Sequence, residues 1–138
     1  NPEDAKAFLE QALKYDKQDL EILVNLAYTA NQAGYYSEAV EYSNQALSLD
    51  NHQPLALSNR AYAYLKLNQP EAALKSIDES LKNDRSNPLA HRYKAEILIA
   101  LGRSDSEVCK SLNNAEKYGY AELYDGKVAR LQKEYCVR

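Results

Sequence analysis

Residues 20–53 read LEILVNLAYTANQAGYYSEAVEYSNQALSLDNHQ, and residues 54–87 read PLALSNRAYAYLKLNQPEAALKSIDESLKNDRSN. Laid one over the other, they fall in step at a spacing of 34 residues: Ala27 with Ala61, Ala39 with Ala73, Ala46 with Ser80, Leu47 with Leu81. The interval extends both ways. Ala5, Ala12 and Leu13 precede Ala39, Ala46 and Leu47, and Ala95 follows Ala61. Gly34, Asn68 and Gly102 keep the same interval in another phase. Self-similarity at such a period marks stacked supersecondary units, each burying its apolar face against the next.

Each period has a helical interior. Leu20, Leu23, Leu26, Ala27 and Ala30 recur at steps of three and four, one face of a helix, and Ala39, Ser43, Ala46 and Leu47 do the same in the next segment. Between them Gly34 takes the left-handed conformation that ends a helix, and Asn68 and Gly102 stand in the same place. Pro54, Pro70 and Pro88 fall at helix starts, where a missing N–H costs nothing. The spacing predicts helices at about 3–16, 20–33, 36–49, 54–67, 70–83, 88–101 and 104–118, and a last one at about 126–136. The polar Lys127, Arg130, Gln132, Lys133 and Glu134 suit that last helix to an end cap, with Val128 and Leu131 turned inward.

These alanines and glycines resemble those of the tetratricopeptide-repeat (TPR) family. The match covers 20–53 and 54–87 and, more loosely, 88–118. Residues 3–16 resemble the second helix of a preceding repeat, and 119–138 supply a turn and the capping helix. In the third unit Glu107 stands where the family has alanine, and the pattern recovers one residue later at Val108, Leu112 and Ala115. That predicts a degenerate repeat with a small insertion. The resemblance implies an all-α fold: a right-handed α-solenoid of antiparallel helix pairs, a single domain over 1–138, capped at its C-terminus. Small residues at Ala27 and Ala39 then let paired backbones approach closely.

The bulk composition fits. Hydrophobic content of 45% and charged content of 27% describe a globular chain able to bury a core. A net charge of −3 gives no electrostatic case for nucleic acid. No stretch approaches the roughly 18 consecutive apolar residues of a membrane span, so no membrane insertion is expected. The chain begins at Asn1 rather than Met, which points to a segment of a longer protein. The helix at 3–16 has no partner before it, predicting either a preceding repeat in the natural protein or self-association as a homodimer.

The family resemblance implies a ligand groove on the concave side, lined by the first helix of each repeat. The matching positions include Asn25, Tyr28 and Asn31, then Asn59, Tyr62 and Lys66, then Arg92, Tyr93 and Glu96. Asn25 and Asn59 lie one repeat apart, as do Tyr28 and Tyr62. A carboxamide both donates to and accepts from a peptide backbone. Tyrosine offers a flat apolar face with a polar tip. The expected partner is therefore a protein or peptide segment. The stretch Ser58-Asn59-Arg60-Ala61 with Tyr64 and Lys66 resembles co-chaperones that clamp the C-terminal carboxylate of heat-shock chaperones. Of the clamp's five ligands only Asn59 is kept. Val24, Tyr28, Leu89 and Tyr93 occupy the other four places. A chaperone C-terminal tail is accordingly not the expected ligand.

Cys109 and Cys136 are the only two cysteines. If residues 118–126 turn between antiparallel helices, the thiols come level and a disulfide would staple the cap to the solenoid. The ending Lys133-Glu134-Tyr135-Cys136 also resembles that of secreted or envelope TPR proteins of bacteria. The alternative is two reduced, buried residues. The first reading implies a bacterial periplasm or envelope, the second a cytoplasmic chain, and the sequence leaves localisation unknown between them.

No catalytic chemistry is expected. His52 and His91 have no metal-ligand spacing around them, so neither metal nor cofactor is implied. There is no phosphate loop, zinc-protease helix or nucleophile elbow. Asp78, Glu79 and Asp84 read as a solvated helix face.

Overall fold

A computed structural model describes residues 1–15, 19–120 and 124–136, without the side chains of Pro2, Leu13 and Tyr15. The described residues form eight helices: α1 (Pro2–Tyr15), α2 (Leu20–Ala33), α3 (Tyr36–Leu49), α4 (Pro54–Lys66), α5 (Pro70–Asn83), α6 (Pro88–Ala100), α7 (Asp105–Lys117) and α8 (Lys127–Tyr135). Helix α2 pairs with α3, α4 with α5 and α6 with α7, and each pair stacks on the one before. The expected extension of the first helix to residue 16, and the register of Leu13, lie outside what is described.

The same local devices recur at each period. Asp19, Gln53 and Asn87 cap α2, α4 and α6, their side-chain oxygens accepting from the N–H groups of Ile22, Leu55 and Leu89 at 3.0, 2.8 and 3.0 Å. Such a cap contributes about 1 kcal/mol over alanine. At the other end of these helices, Gly34, Asn68 and Gly102 sit at φ of 84°, 61° and 69°. The amide of each donates back to the carbonyl of Asn31, Leu65 or Ile99, and the next amide donates to that of Ala30, Tyr64 or Leu98. This pair of bonds is the Schellman arrangement, and Asn68 is the one non-glycine residue that adopts it here.

The third pair departs by one residue. Helices α3 and α5 begin two residues after Gly34 and Asn68, but α7 begins three after Gly102, because Ser104 is interposed as an N-cap that accepts from Glu107 N–H. The buried face moves with it. Ala39, Ser43 and Ala46 are buried on α3; Val108, Leu112 and Ala115, two periods and one residue further on, are buried on α7.

Ala27, Ala61 and Ala95, with Ala39 and Ala73, are wholly buried where paired helices meet. At the C-terminal end Val128 of α8 packs among Ala95, Leu98, Leu112 and the ring of Tyr120, with Leu131 alongside. Cys136 Sγ is bonded to Cys109 Sγ of α7, across Cα atoms 5.2 Å apart. At the other end α1 lies on α2, held also by Lys6 to Glu38, Tyr35 Oη to Glu3 and Tyr42 Oη to Glu10. Its Phe8 stays 73% exposed.

Candidate functional site

The first helices stand side by side, α2 against α4 and α4 against α6. Their common face carries a row of rings. Tyr62 meets the edge of Tyr36 at 6.3 Å and tilts onto Tyr93 at 4.6 Å. The Arg92 guanidinium lies 5.1 Å from the Tyr93 ring and 5.9 Å from that of Tyr120. Tyr120 in turn stacks on Tyr124 at 5.0 Å. Tyr28 and Tyr124 are 41% and 43% exposed. With Gln32, Leu89, Asp125 and Lys127, these residues line a cleft of about 330 Å³, floored by α4 and α6 and walled by the segment that leads into α8.

The wall is tied on through ions. Arg92 donates to Glu96 at 2.9 Å and to the Tyr120 hydroxyl at 2.9 Å. That hydroxyl donates to Asp125 at 3.0 Å, and Asp125 also accepts from the Lys127 amide at 2.9 Å. The Lys127 ammonium returns to Glu96 at 2.8 Å. Burial works against the Arg92 charge, but the Tyr120 hydroxyl and Glu96 outweigh it and hold its pKa above the ordinary value. Burial also raises the phenols of Tyr93 and Tyr120, so both stay neutral around pH 7. The cleft thus holds two cations, Arg92 and Lys127, and one carboxylate, Asp125, beneath aromatic surface, and Glu96, just outside its lining, pairs with both cations.

The residues expected in the groove divide three ways. Tyr28, Tyr62, Arg92 and Tyr93 line the cleft. Lys66, over the Tyr62 ring at 5.3 Å, and Glu96 line a neighbouring hollow of about 480 Å³ with Ile99, Leu131 and Tyr135. The asparagines line neither. Asn59 is buried and donates to Val24 O at 3.2 Å; Asn31 is buried and donates to Asn59 O at 2.9 Å. Asn25, one period before Asn59, is exposed. This register faces the preceding pair: Asn59 reaches α2, and Tyr93 in the same place lies on Tyr62 of α4. Sequence reasoning missed the wall, Tyr120, Tyr124, Asp125 and Lys127. Its one signal was the density of tyrosine between 118 and 124.

Two family models, each described as tetratricopeptide repeat, match residues 1–54 and 30–97, so together they run over 1–97. The chain belongs to the tetratricopeptide-repeat family. Solved TPR structures share the fold. TTC0263, a thermophilic TPR protein of Thermus thermophilus, superposes with a TM-score of 0.83 at 20% identity, over 96% of this chain and 74% of that one. The first TPR of Spaghetti (RPAP3), bound to the HSP90 peptide SRMEEVD, gives 0.75 at 20% identity, over 88% and 95%. The type III secretion translocator chaperone SycD of Yersinia enterocolitica gives 0.72 at 22% identity, over 86% and 92%. No curated protein sequence matches. Among the described residues of this TPR chain, no helix is long and apolar enough to cross a membrane, and no three His, Cys, Asp or Glu side chains group to hold a metal.

Proposed function

We propose that the chain is a protein-interaction module that takes an extended segment of a partner in its tyrosine-lined concave cleft. The row of rings through Tyr62, Tyr93, Tyr120 and Tyr124, with Tyr28 opposite, carries this reading. Rings with phenolic tips cover apolar side chains while their hydroxyls meet peptide carbonyls, and they lose little entropy in doing so. The charges suit a segment with no terminal carboxylate to place. Of the cations lining the cleft, Arg92 is held by Glu96 and Tyr120, and Lys127 by Glu96. This differs from the carboxylate clamp, four of whose five places are taken here by Val24, Tyr28, Leu89 and Tyr93. The peptide carried by the RPAP3 domain is therefore not the ligand class proposed for this one.

The test is selection from a displayed library of random peptides, repeated on a Tyr28→Ala/Tyr124→Ala variant. Both side chains are exposed, so far-ultraviolet circular dichroism should not change. Loss of these two rings should weaken the selected peptides roughly ten-fold or more. Equal binding by the folded variant sinks the reading.

A further inference from the structure

On the other side of the solenoid, a second cleft of about 750 Å³ runs between α5 and α7 above α6. Leu74, Leu81 and Leu98 lie in it, the last two buried. Around these leucines the charge reverses. Five cations and two carboxylates line the cleft, a local balance of +3 in a chain whose net charge is −3. Two of the cations are paired, Lys94 with Asp78 at 2.8 Å and Arg103 with Glu107 at 3.2 Å. The other three, Lys82, Arg85 and Lys110, are exposed and have no carboxylate partner among the described residues. His91 adds no charge: it is buried, which lowers its pKa, and its Nε2–H donates to Arg85 O at 2.8 Å. That bond fixes the turn from which Arg85 projects.

We infer that this cleft is a second docking site, which takes an acidic amphipathic helix of a partner protein. Leucine-like side chains of that helix lie on Leu74, Leu81 and Leu98, and its Asp and Glu side chains face Lys82, Arg85 and Lys110. An apolar-floored groove walled by two helices is the shape that receives a helix by its apolar face. Charges at the rim then steer the approach and set which partners are accepted. A small free anion would leave the leucines uncovered. A bilayer cannot enter between two helices, and a net charge of −3 gives no long-range pull toward an anionic surface. The site shares no lining residue with the tyrosine cleft.

The experiment uses the whole chain carrying Tyr28→Ala and Tyr124→Ala, so that the tyrosine cleft cannot supply the binding. A displayed random-peptide library is selected on it. Peptides that join Asp or Glu with Leu, Ile or Phe at helical spacing should be enriched. Lys82→Glu with Lys110→Glu should weaken them roughly ten-fold or more, and raised salt should weaken them further. Should the charge-reversed chain lose its circular dichroism, Lys82→Gln with Lys110→Gln reads the same loss in part. The inference is overturned if no acidic amphipathic peptide is enriched, or if enriched peptides bind the folded variants equally well. It is also overturned if phosphatidylserine vesicles, and no peptide, bind in a Lys82- and Lys110-dependent way. Failure here leaves the tyrosine-cleft reading standing, because that reading is decided on the wild-type chain.

Discussion

At the junction of α2 and α4, two buried amides reach across to main chain, Asn59 to Val24 O and Asn31 to Asn59 O. At the junction of α6 and the cap, the contacts run instead between ions and a phenol: Arg92, Glu96, Tyr120, Asp125 and Lys127, with a disulfide behind them. The difference follows from what each junction must hold. Between repeats, small residues bring helices close and carbonyls within reach of a short neutral side chain. Each such bond stabilises by about 0.5–1.5 kcal/mol net. Past α7 the described residues hold no further helix pair in register, and the wall carrying Tyr120, Tyr124 and Asp125 has to be fixed in place. Longer side chains with charge span that gap, and a covalent link limits how far the cap can wander. Internal junctions are thus cohesive by repetition, and the terminal one by specific pairing.

The widest test of this contrast is to open the disulfide. Cys109 and Cys136 close a loop spanning 27 residues, for which chain entropy gives about 3–4 kcal/mol. Cys109→Ser with Cys136→Ser, or reduction of the native chain, should lower stability by that order in denaturant melts. Hydrogen exchange should rise first in α8 and α7 and last in α2 and α4. A uniform rise across the chain would break the distinction between the two junctions.

Smaller effects are expected from single polar contacts. Asn59→Ala removes the buried bond to Val24 O, which keeps its own partner within α2, and should cost about 0.5–1.5 kcal/mol. Arg92→Ala leaves Glu96 with Lys127 alone and the Tyr120 hydroxyl with Asp125 alone, and should cost about 1–3 kcal/mol. The two diverge in a double-mutant cycle with Tyr120→Phe, which removes only the hydroxyl. Arg92 should couple to it by about 0.5–3 kcal/mol, while Asn59 should be additive within about 0.5 kcal/mol. Coupling of Asn59 to Tyr120 would mean that the junctions are one network.

What could be read from the sequence divides along the same line. The helix pairs, the turns at Gly34, Asn68 and Gly102 and the one-residue shift to Val108, Leu112 and Ala115 are local or periodic facts, so a spacing carries them. The targets of Asn31 and Asn59 are different. Spacing assigns an asparagine to a helix face, but the distance between α2 and α4 decides whether its amide meets solvent or a carbonyl. The cleft wall is harder still. Tyr120 reaches Arg92 across 28 residues, through a turn in which Gly119 takes φ of 94°. No period covers that turn, and nothing short of the folded chain puts those rings beside Tyr93.

The smallest predicted effect is on pH, and it falls on the terminal junction alone. His91 is 7% exposed, and its ring stacks on Tyr118, where α7 ends, at 5.4 Å. Burial, aided by Lys94, lowers its pKa below the ordinary 6.5, against the opposing pull of the Arg85 carbonyl and of Asp84. The unfolded chain therefore takes up a proton at a higher pH than the folded one. The stability that His91 contributes is complete above about 6.5 and falls as pH drops through the folded value. Asp84 and Asp125 do not confuse this window. Hydrogen bonds from Ser86 and from the Lys127 amide hold them below the usual carboxylate value of 3.8. Melts between about pH 7.5 and pH 5.5 should lose stability with a slope no steeper than about 1.4 kcal/mol per unit. The His91→Gln variant should be flatter over the same range. In the native chain the loss should appear in α6 and α7 by hydrogen exchange. A slope that survives His91→Gln, or exchange that rises equally in α2 and α4, would place the titrating group elsewhere and remove the pH sensitivity assigned to the cap side.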